Sequence, residues 1–471
     1  MSPATLVSGN RFLRSALSES SRFQSTPEAP TWLQATSDER RLLVDRVPLE
    51  SLGEWRFDPD SGDLAHKSGK FFRVRGVRVH ADLGAVHDWD QPIIDQPEIG
   101  ILGIIVREFA GQLYFLMQAK MEPGNPRGVQ LTLTVQATRS NYTQVHQGSR
   151  PAYIDYFLDP GLARVLVDQL QYEQGSAFLR KRNRNIIVEV SEDIPILEGF
   201  RWFTLAQIKK LLSIPNLVSM ETRTVISCIP LSPGGLHAEG PLTADLEPFP
   251  AAVLASLNAP SSSCSDDEVL SWVTTLKCQH QLYVEPIGLK TIRGWNLGDE
   301  IGHEDDRFFR ILGVDVESDS REVLSWNQPL IGATEQGLIA FVTAEIDGVL
   351  HFLAQGRADP GGADNIMVGP TVQCALGYER RTGEASTLLF QDLVEYPASG
   401  QVQYSCVQSE EGGRFYRVEN EYRVVQVDSV SNLGPLPDNF TWMTGRQLQE
   451  LLRFGLVNIE ARSLLSCLSF T

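Results

Sequence analysis

The chain has 471 residues, enough for two or three domains. Its 41 Lys and Arg stand against 59 Asp and Glu, and the formal charge of −18 excludes the basic footprint that nucleic-acid binding needs. Hydrophobic residues make up 42%, yet no stretch reaches the ~18 apolar residues of a membrane span, so a globular cytoplasmic protein with no membrane partner is expected.

Residues 1–25 lack the apolar core of a signal peptide and read as an N-terminal extension. Phe72, Val74, Val77 and Val79 alternate with polar residues, as a half-buried strand does. The apolar runs 99–106 and 113–118 flank Phe109-Ala110-Gly111-Gln112 and read as a hairpin. Leu162, Val165, Leu166 and Leu170 fall at helical spacing, and Ile186, Ile187, Val188 and Val190 return to strand. Thr204 caps a helix carrying Leu205, Ile208 and Leu212. Residues 231–265 hold five prolines and the run Ser261-Ser262-Ser263, and read as an extended linker.

The order then repeats. Phe71 to Val79 returns 237 residues later as Phe308 to Val316, with six of nine positions identical. The same offset carries Trp89, Gln91, Pro92, Glu98, Gly100, Pro123 and Gly124 onto Trp326, Gln328, Pro329, Glu335, Gly337, Pro360 and Gly361. Trp55 and Thr204 meet Trp295 and Thr444 at an offset of 240. The hairpin turn becomes Asp347-Gly348, a strong turn signal. The copies span 26–230 and 266–471, each an α+β unit with a mixed sheet flanked by helices.

Within a duplicated chain, residues shared by both copies suit the fold, and polar residues held by one copy suit chemistry. Three segments qualify. Lys120 to Asn125 follows the hairpin: Lys120 can polarise a carbonyl or bind diphosphate and Glu122 can act as a base, unless this is merely a surface turn. Its counterpart runs from Arg357 to Gly362. Gln136 to Tyr142, followed by His146, packs hydrogen-bonding groups as a sugar nucleotide requires, or forms a structural loop. The second copy keeps Gln373 and has Tyr378, but Thr138, Arg139 and Ser140 become Ala375, Leu376 and Gly377. Arg180 to Asn185 is a basic run suited to diphosphate, or else a solvated face, and the second copy retains only Arg417 and Asn420. His66 and His303 correspond and suit a structural role. The six cysteines form no CxxC pair, and buried reduced thiols are expected. No dinucleotide, phosphate-loop or serine-hydrolase signature is present.

Gln91-Pro92, Lys120 to Asn125, Gln136 to Tyr142, Glu173-Gln174-Gly175 and Lys181 to Asn185 together resemble the NDP-hexose 2,3-dehydratases of antibiotic deoxysugar pathways. The resemblance implies two copies of a Nudix-hydrolase-like fold, a homodimer, and a dTDP-4-keto-6-deoxyhexose substrate that loses its C2 hydroxyl. The segment 162–180, read as the corresponding helix, lacks the acidic array by which a Nudix box holds metal, so no metal is expected. Loss of water at C2 balances oxidation at C3, so no redox cofactor is needed, and the product suits a 3-ketoreductase.

The roles expected on this footing fall mainly to the first copy. Lys120 or Tyr142 meets the C4 oxygen, Glu122 is the base, and His146 or Tyr142 protonates the leaving group. Arg139, Lys181, Arg182 and Arg184 hold the diphosphate, and Trp89, Gln91, Glu98, Asn125, Gln136, Ser140, Asn141 and Asn183 line the substrate. Arg357, Gln373, Tyr378, Arg417 and Asn420 line a remnant second pocket. The rival expectations are a silent sugar-nucleotide binding module and a diphosphate hydrolase.

Overall fold

A computed structural model describes residues 11–84, 86–142, 150–231, 246–260, 262–319, 323–362, 364–374 and 389–471, without the side chains of Ser140 and Asn141. His146 and Tyr378 lie outside these residues.

The chain is mixed α and β in two similar halves, and each half holds a small and a large sheet. The large sheet of the first copy runs Arg164–Tyr172, Arg182–Glu189, Gly100–Phe109, Gln112–Met121, Phe200–Phe203. Short strands Val129–Thr132 and Val135–Ala137 extend its centre. Only Arg182–Glu189 against Gly100–Phe109 pairs in parallel. The hairpin closes at Ala110 and Gly111, both at positive φ (51° and 80°), and Asp347 and Gly348 do the same in the second copy (51° and 76°). That geometry matches the right-handed twist of the strands.

The small sheets are exchanged between the copies. Leu42–Val47, from the first copy, pairs antiparallel with Phe309–Ser318 of the second. Leu282–Ile287, from the second, pairs with Arg73–Ala81 of the first. Trp55 Nε1 donates to Asn327 O (2.9 Å) and Trp295 Nε1 donates to Asp90 O (2.8 Å), so both members of this tryptophan pair lock onto the opposite copy. The repeated glycines Gly76 and Gly313 have the same origin. A Cβ at Gly313 would stand 2.6 Å from Val47 O, and one at Gly76 would stand 2.4 Å from Ile292 Cγ2. His66 and His303 pack edge-on against Trp55 and Trp295, as structural residues.

Asp90 fastens this junction. Its carboxylate accepts from Arg293 at 2.9 and 3.0 Å and from Arg78 at 3.2 and 3.3 Å. Burial alone would raise its pKa, but the two arginines hold it down at about 2. Asp90→Asn should therefore cost ~1–3 kcal/mol in urea unfolding at pH 7. A carboxyl depressed in the folded state stabilises above its unfolded pKa and stops doing so as pH falls through the folded value. The gap between wild type and variant should thus be full above about pH 4 and close towards pH 2; a gap independent of pH would refute the assignment.

Two expectations need correction. The segment at 162–170 is not helical: Arg164–Tyr172 is an edge strand, with a bulge between Val165 and Val167. Val165 and Leu170 face solvent (47% and 40% exposed), while Val167 is buried, so the apparent helical stripe is a bulged strand's alternation. The linker is not extended throughout either. Pro248–Ser256 is a helix with proline in its first turn, where the missing N–H costs nothing. Its Ser256 Oγ accepts from Gly445 N (2.8 Å), just as Ser15 Oγ accepts from Leu205 N (2.9 Å) in the helical residues 11–16.

Thr204 and Thr444 form capping boxes with Gln207 and Gln447, as the sequence predicts. Each copy then adds one more helix, Met220–Ser227 and Ile459–Ser466, which the sequence reading lacks. The two pack on one another and bury Arg223 and Arg462 completely. Arg223 donates to Ser409 O (2.7 Å) and Gln408 Oε1 (3.3 Å) of the second copy. Of the cysteines, Cys228, Cys374, Cys406 and Cys467 are buried, while Cys278 is exposed. Among the described residues, no helix is long and apolar enough to cross a membrane.

Candidate active site

The turn after each hairpin docks into a loop of the other copy. Gly124 N donates to Gly412 O (2.8 Å), and Arg417 N donates to Gly124 O (2.8 Å). Gly361 N donates to Gly175 O (2.6 Å), and Arg180 N donates to Gly361 O (2.8 Å). Phe178 and Phe415 meet edge-to-face between these crossings. The loops are pinned from behind: Gln91 Nε2 donates to Ser176 O (2.9 Å) and Gln328 Nε2 to Gly413 O (2.8 Å), with Trp89 and Trp326 donating to the two glutamines. Trp89 and Gln91, expected as substrate contacts, hold the back of the first copy's loop, as Trp326 and Gln328 do in the second copy. Asn125 also serves the turn, donating to Gly128 O (2.9 Å).

The first crossing gathers a polar cluster. Lys120 Nζ lies 2.7 Å from Glu122 Oε1 and donates to Gln136 Oε1 (2.7 Å). Gln136 Nε2 donates onward to Glu221 Oε1 (2.8 Å) and Glu411 Oε1 (3.5 Å). The Lys120 and Glu122 side chains are only 14% and 11% exposed. Lys120 and Glu122 come from the end of strand Gln112–Met121 and its turn, Gln136 from Val135–Ala137, and Glu221 from the first turn of the closing helix. Glu411 comes from the second copy.

Electrostatics in this cluster are strained. Burial pushes the Glu221 carboxyl above its usual range, and the charge of Glu122 adds to the shift. Burial, with Glu221 next, pushes Glu411 up to about 8, against the pull of Arg414. Arg414 donates to Gln96 Oε1 (3.3 Å) and lies 4.4 Å from the Phe72 ring centroid, so a second-copy guanidinium sits on the first copy's small sheet. Burial lowers the pKa of Lys181, partly offset by Glu173, and its ammonium is held by the Glu98 carbonyl. Perturbed ionisable groups gathered at one place are what make this crossing a candidate reaction site.

The structure breaks up the basic run. Lys181 and Asn183 turn inward, with Asn183 Nδ2 donating to Glu173 Oε1 (2.6 Å). Alternation sends Arg182 and Arg184 to the opposite face, where Arg182 covers the Tyr172 ring and Arg184 pairs with Asp168 (2.7 Å). Arg139 is exposed, and Tyr142 packs against the apolar cluster of Ile101 and Phe157.

The second crossing is wired differently. Arg357 lies 3.8 Å from Asp359 and donates to Gln355 Oε1 (3.1 Å), while Gln373 Oε1 accepts from Asn458 (2.7 Å). Arg417 sits at positive φ (52°) with an exposed side chain, as the backbone counterpart of Arg180, and Asn420 donates to buried Glu410. Glu460 repeats Glu221, and burial beside Asp359 pushes it to about 8. The opposing first-copy loop has Gln174 and Ala177 where the second-copy loop has Glu411 and Arg414. Lys120, Glu122, Gln136 and Glu221 all have polar counterparts in Arg357, Asp359, Gln373 and Glu460, so the charged residues of this cluster that one copy alone holds are Glu411 and Arg414, both of the second copy. Applying the 237-residue offset in both directions would have found them. Among the described residues, no three acidic, histidine or cysteine side chains are placed to hold a metal ion.

The profile of the NDP-hexose 2,3-dehydratase family matches residues 26–229 and again 266–468. The chain belongs to that family. The dehydratase is 45% identical over 469 residues to a Saccharopolyspora spinosa protein named dTDP-4-dehydro-6-deoxy-alpha-D-glucopyranose 2,3-dehydratase, covering 99% of this chain and 96% of that one. Proteins of the same name are 42% identical in Amycolatopsis orientalis (94% and 90% covered) and 44% identical in Streptomyces violaceoruber (95% and 97% covered). The turn-and-loop crossings of the dehydratase lie inside the matched segments of both copies.

Proposed function

We propose that this dehydratase acts on dTDP-4-keto-6-deoxy-D-glucose. The C4 ketone acidifies the C3 proton. Glu122 removes it, and Lys120, 2.7 Å away, stabilises the negative charge that gathers on the C4 oxygen. The electron pair then re-forms the C4 carbonyl, shifts the double bond to C2–C3 and expels the C2 hydroxyl. The resulting enol tautomerises to the dTDP-3,4-diketo-2,6-dideoxyhexose, so the net change is loss of one water with no redox cofactor. Lys181 and Arg414, which feel one another's charge beside Glu411, are the cations suited to the diphosphate. The single observation that carries this reading is the Lys120–Glu122–Gln136–Glu221 cluster, in a chain of this family.

The finer reading includes two Nudix-like repeats over 26–230 and 266–471, the first crossing as the active one, and a cytoplasmic homodimer. It includes a role in deoxysugar antibiotic biosynthesis, where a 3-ketoreductase consumes the product. The mixed sheet packed between helices in each half supports the scaffold assignment. The test is incubation with dTDP-4-keto-6-deoxy-D-glucose, with the product trapped by a 3-ketoreductase and NADPH. A 2-deoxy product is expected. Released nucleoside monophosphate would instead make the protein a diphosphate hydrolase, and unchanged substrate a binding module.

A further inference from the structure

Expelling hydroxide from C2 needs a proton donor; of the two expected from the sequence, Tyr142 packs against an apolar cluster and His146 lies outside the described residues. We infer that Glu411, delivered by the second copy, is the general acid that protonates the departing C2 hydroxyl. This inference rests on the functional reading above.

Four observations converge on it. First, the loop bearing Glu411 runs hard against the first copy's turn. A Cβ on Gly412 would stand 2.0 Å from Asn125 Oδ1 and 2.8 Å from Glu122 Cβ, so only glycine allows the approach. Second, Glu411 and Glu122 bracket the next glycine. The Cβ position of Gly413 lies 3.2 Å from Glu411 Oε1 and 3.8 Å from Glu122 Oε2, so no more than about 7 Å separates those two oxygens. That spacing suits a base at C3 and an acid at the adjacent C2 of one sugar ring. Third, Gln136 ties the groups together, accepting from Lys120 and donating to Glu221 and Glu411. Fourth, the second crossing has Gln174 at this position, a side chain that cannot donate an acidic proton, and it is turned to Glu410 (2.6 Å).

The protonation state fits the role. Glu411 is faced by Glu221 from the closing helix, Glu122 from the turn, Glu173 from the first-copy loop and Arg414 from its own loop, and Lys181 lies close by. Burial and the neighbouring carboxylates keep it protonated up to about pH 8, so it carries a proton to give at neutral pH. In the step itself the C2–O bond breaks, its electron pair takes the Glu411 proton, and water leaves. Glu122 holds the proton taken from C3. On tautomerisation the proton lost from the C3 hydroxyl restores Glu411 through solvent, and the proton held by Glu122 passes to C2, so both carboxyl groups return to their starting states.

The two steps separate in deuterium oxide. With dTDP-4-keto-6-deoxy-D-glucose, wild type should give the trapped 2-deoxy product. Glu411→Gln should lose ~10²–10⁴-fold in elimination, yet return substrate labelled with deuterium at C3, because the base is intact. Glu122→Gln should lose both. Glu411→Asp should recover part of the elimination rate, and kcat of wild type should fall above about pH 8, a limb that Glu411→Gln lacks. Wild-type elimination in Glu411→Gln, retention of the alkaline limb, or loss of C3 exchange together with elimination would each overturn the inference. A wild-type enzyme that neither exchanges nor eliminates overturns the substrate assignment instead, which is a distinct result.

Discussion

Lys120→Met is expected to lower kcat by ~10²–10⁴-fold with a smaller change in KM. Methionine keeps most of the stem's volume and removes only the charge. Lys120 reaches Glu122 and Gln136 at 2.7 Å each, so it fixes the base and orients the amide that contacts Glu221 and Glu411. In the proposed mechanism it faces the C4 oxygen, so its charge matters most when the enolate forms, and interactions made only in the transition state appear in kcat. Initial rates at several substrate concentrations give the split. A variant with wild-type kcat and a raised KM would assign Lys120 to ground-state binding.

Gly124→Ala and Gly361→Ala are expected to be the most damaging of the glycine-to-alanine changes among the described residues. A Cβ at Gly124 would lie 1.6 Å from Phe415 O, and one at Gly361 would lie 1.8 Å from Phe178 O. Overpacking a core typically costs ~1–3 kcal/mol, and here the obstacle is backbone with nowhere to move, so at least the upper end applies. The crossings are equivalent, so the stability losses in urea unfolding should be comparable. Activity should separate them only if one folds, because Gly124 borders Glu122 and Glu411. A Gly361→Ala protein as stable as wild type would mean that the second crossing is not needed to hold the halves together.

Much of the architecture is legible in the sequence because it is local. The Asp347-Gly348 turn, the Thr204 and Thr444 caps and the alternation of Val74, Val77 and Val79 depend on neighbours a few residues away. The strand Arg164–Tyr172 is misread because its bulge disguises its period, and only pairing with Arg182–Glu189 reveals it. The site divides the same way. Lys120, Glu122 and Gln136 sit in short polar motifs and are visible, and they do converge. The repeat offset marks Glu411 and Arg414 as charged in one copy alone, but only the strand exchange and the glycine crossings join them to Lys120 and Glu122, by placing the second copy's loop on the first copy's turn. The repeated residues are visible as a pattern, yet their work is between copies: Trp55, Trp295, Gly124 and Gly361 all act on the opposite half.

The exchanged strands also bear on how the chain emerges during translation. Arg73–Ala81 leaves the ribosome without its partner Leu282–Ile287, which follows about 200 residues later. At roughly 5–20 residues per second the nascent first half carries that bare edge for on the order of 10–40 s. An unpaired strand edge invites aggregation, and charge along it is the usual protection. The strand that waits carries Arg73, Arg75, Arg78 and His80, and Phe309–Ser318, whose partner Leu42–Val47 is already made, carries Arg310, Leu312, Asp315 and Glu317 at the same positions. The one apolar exception among these four positions, Leu312, thus falls on the strand whose partner is made first.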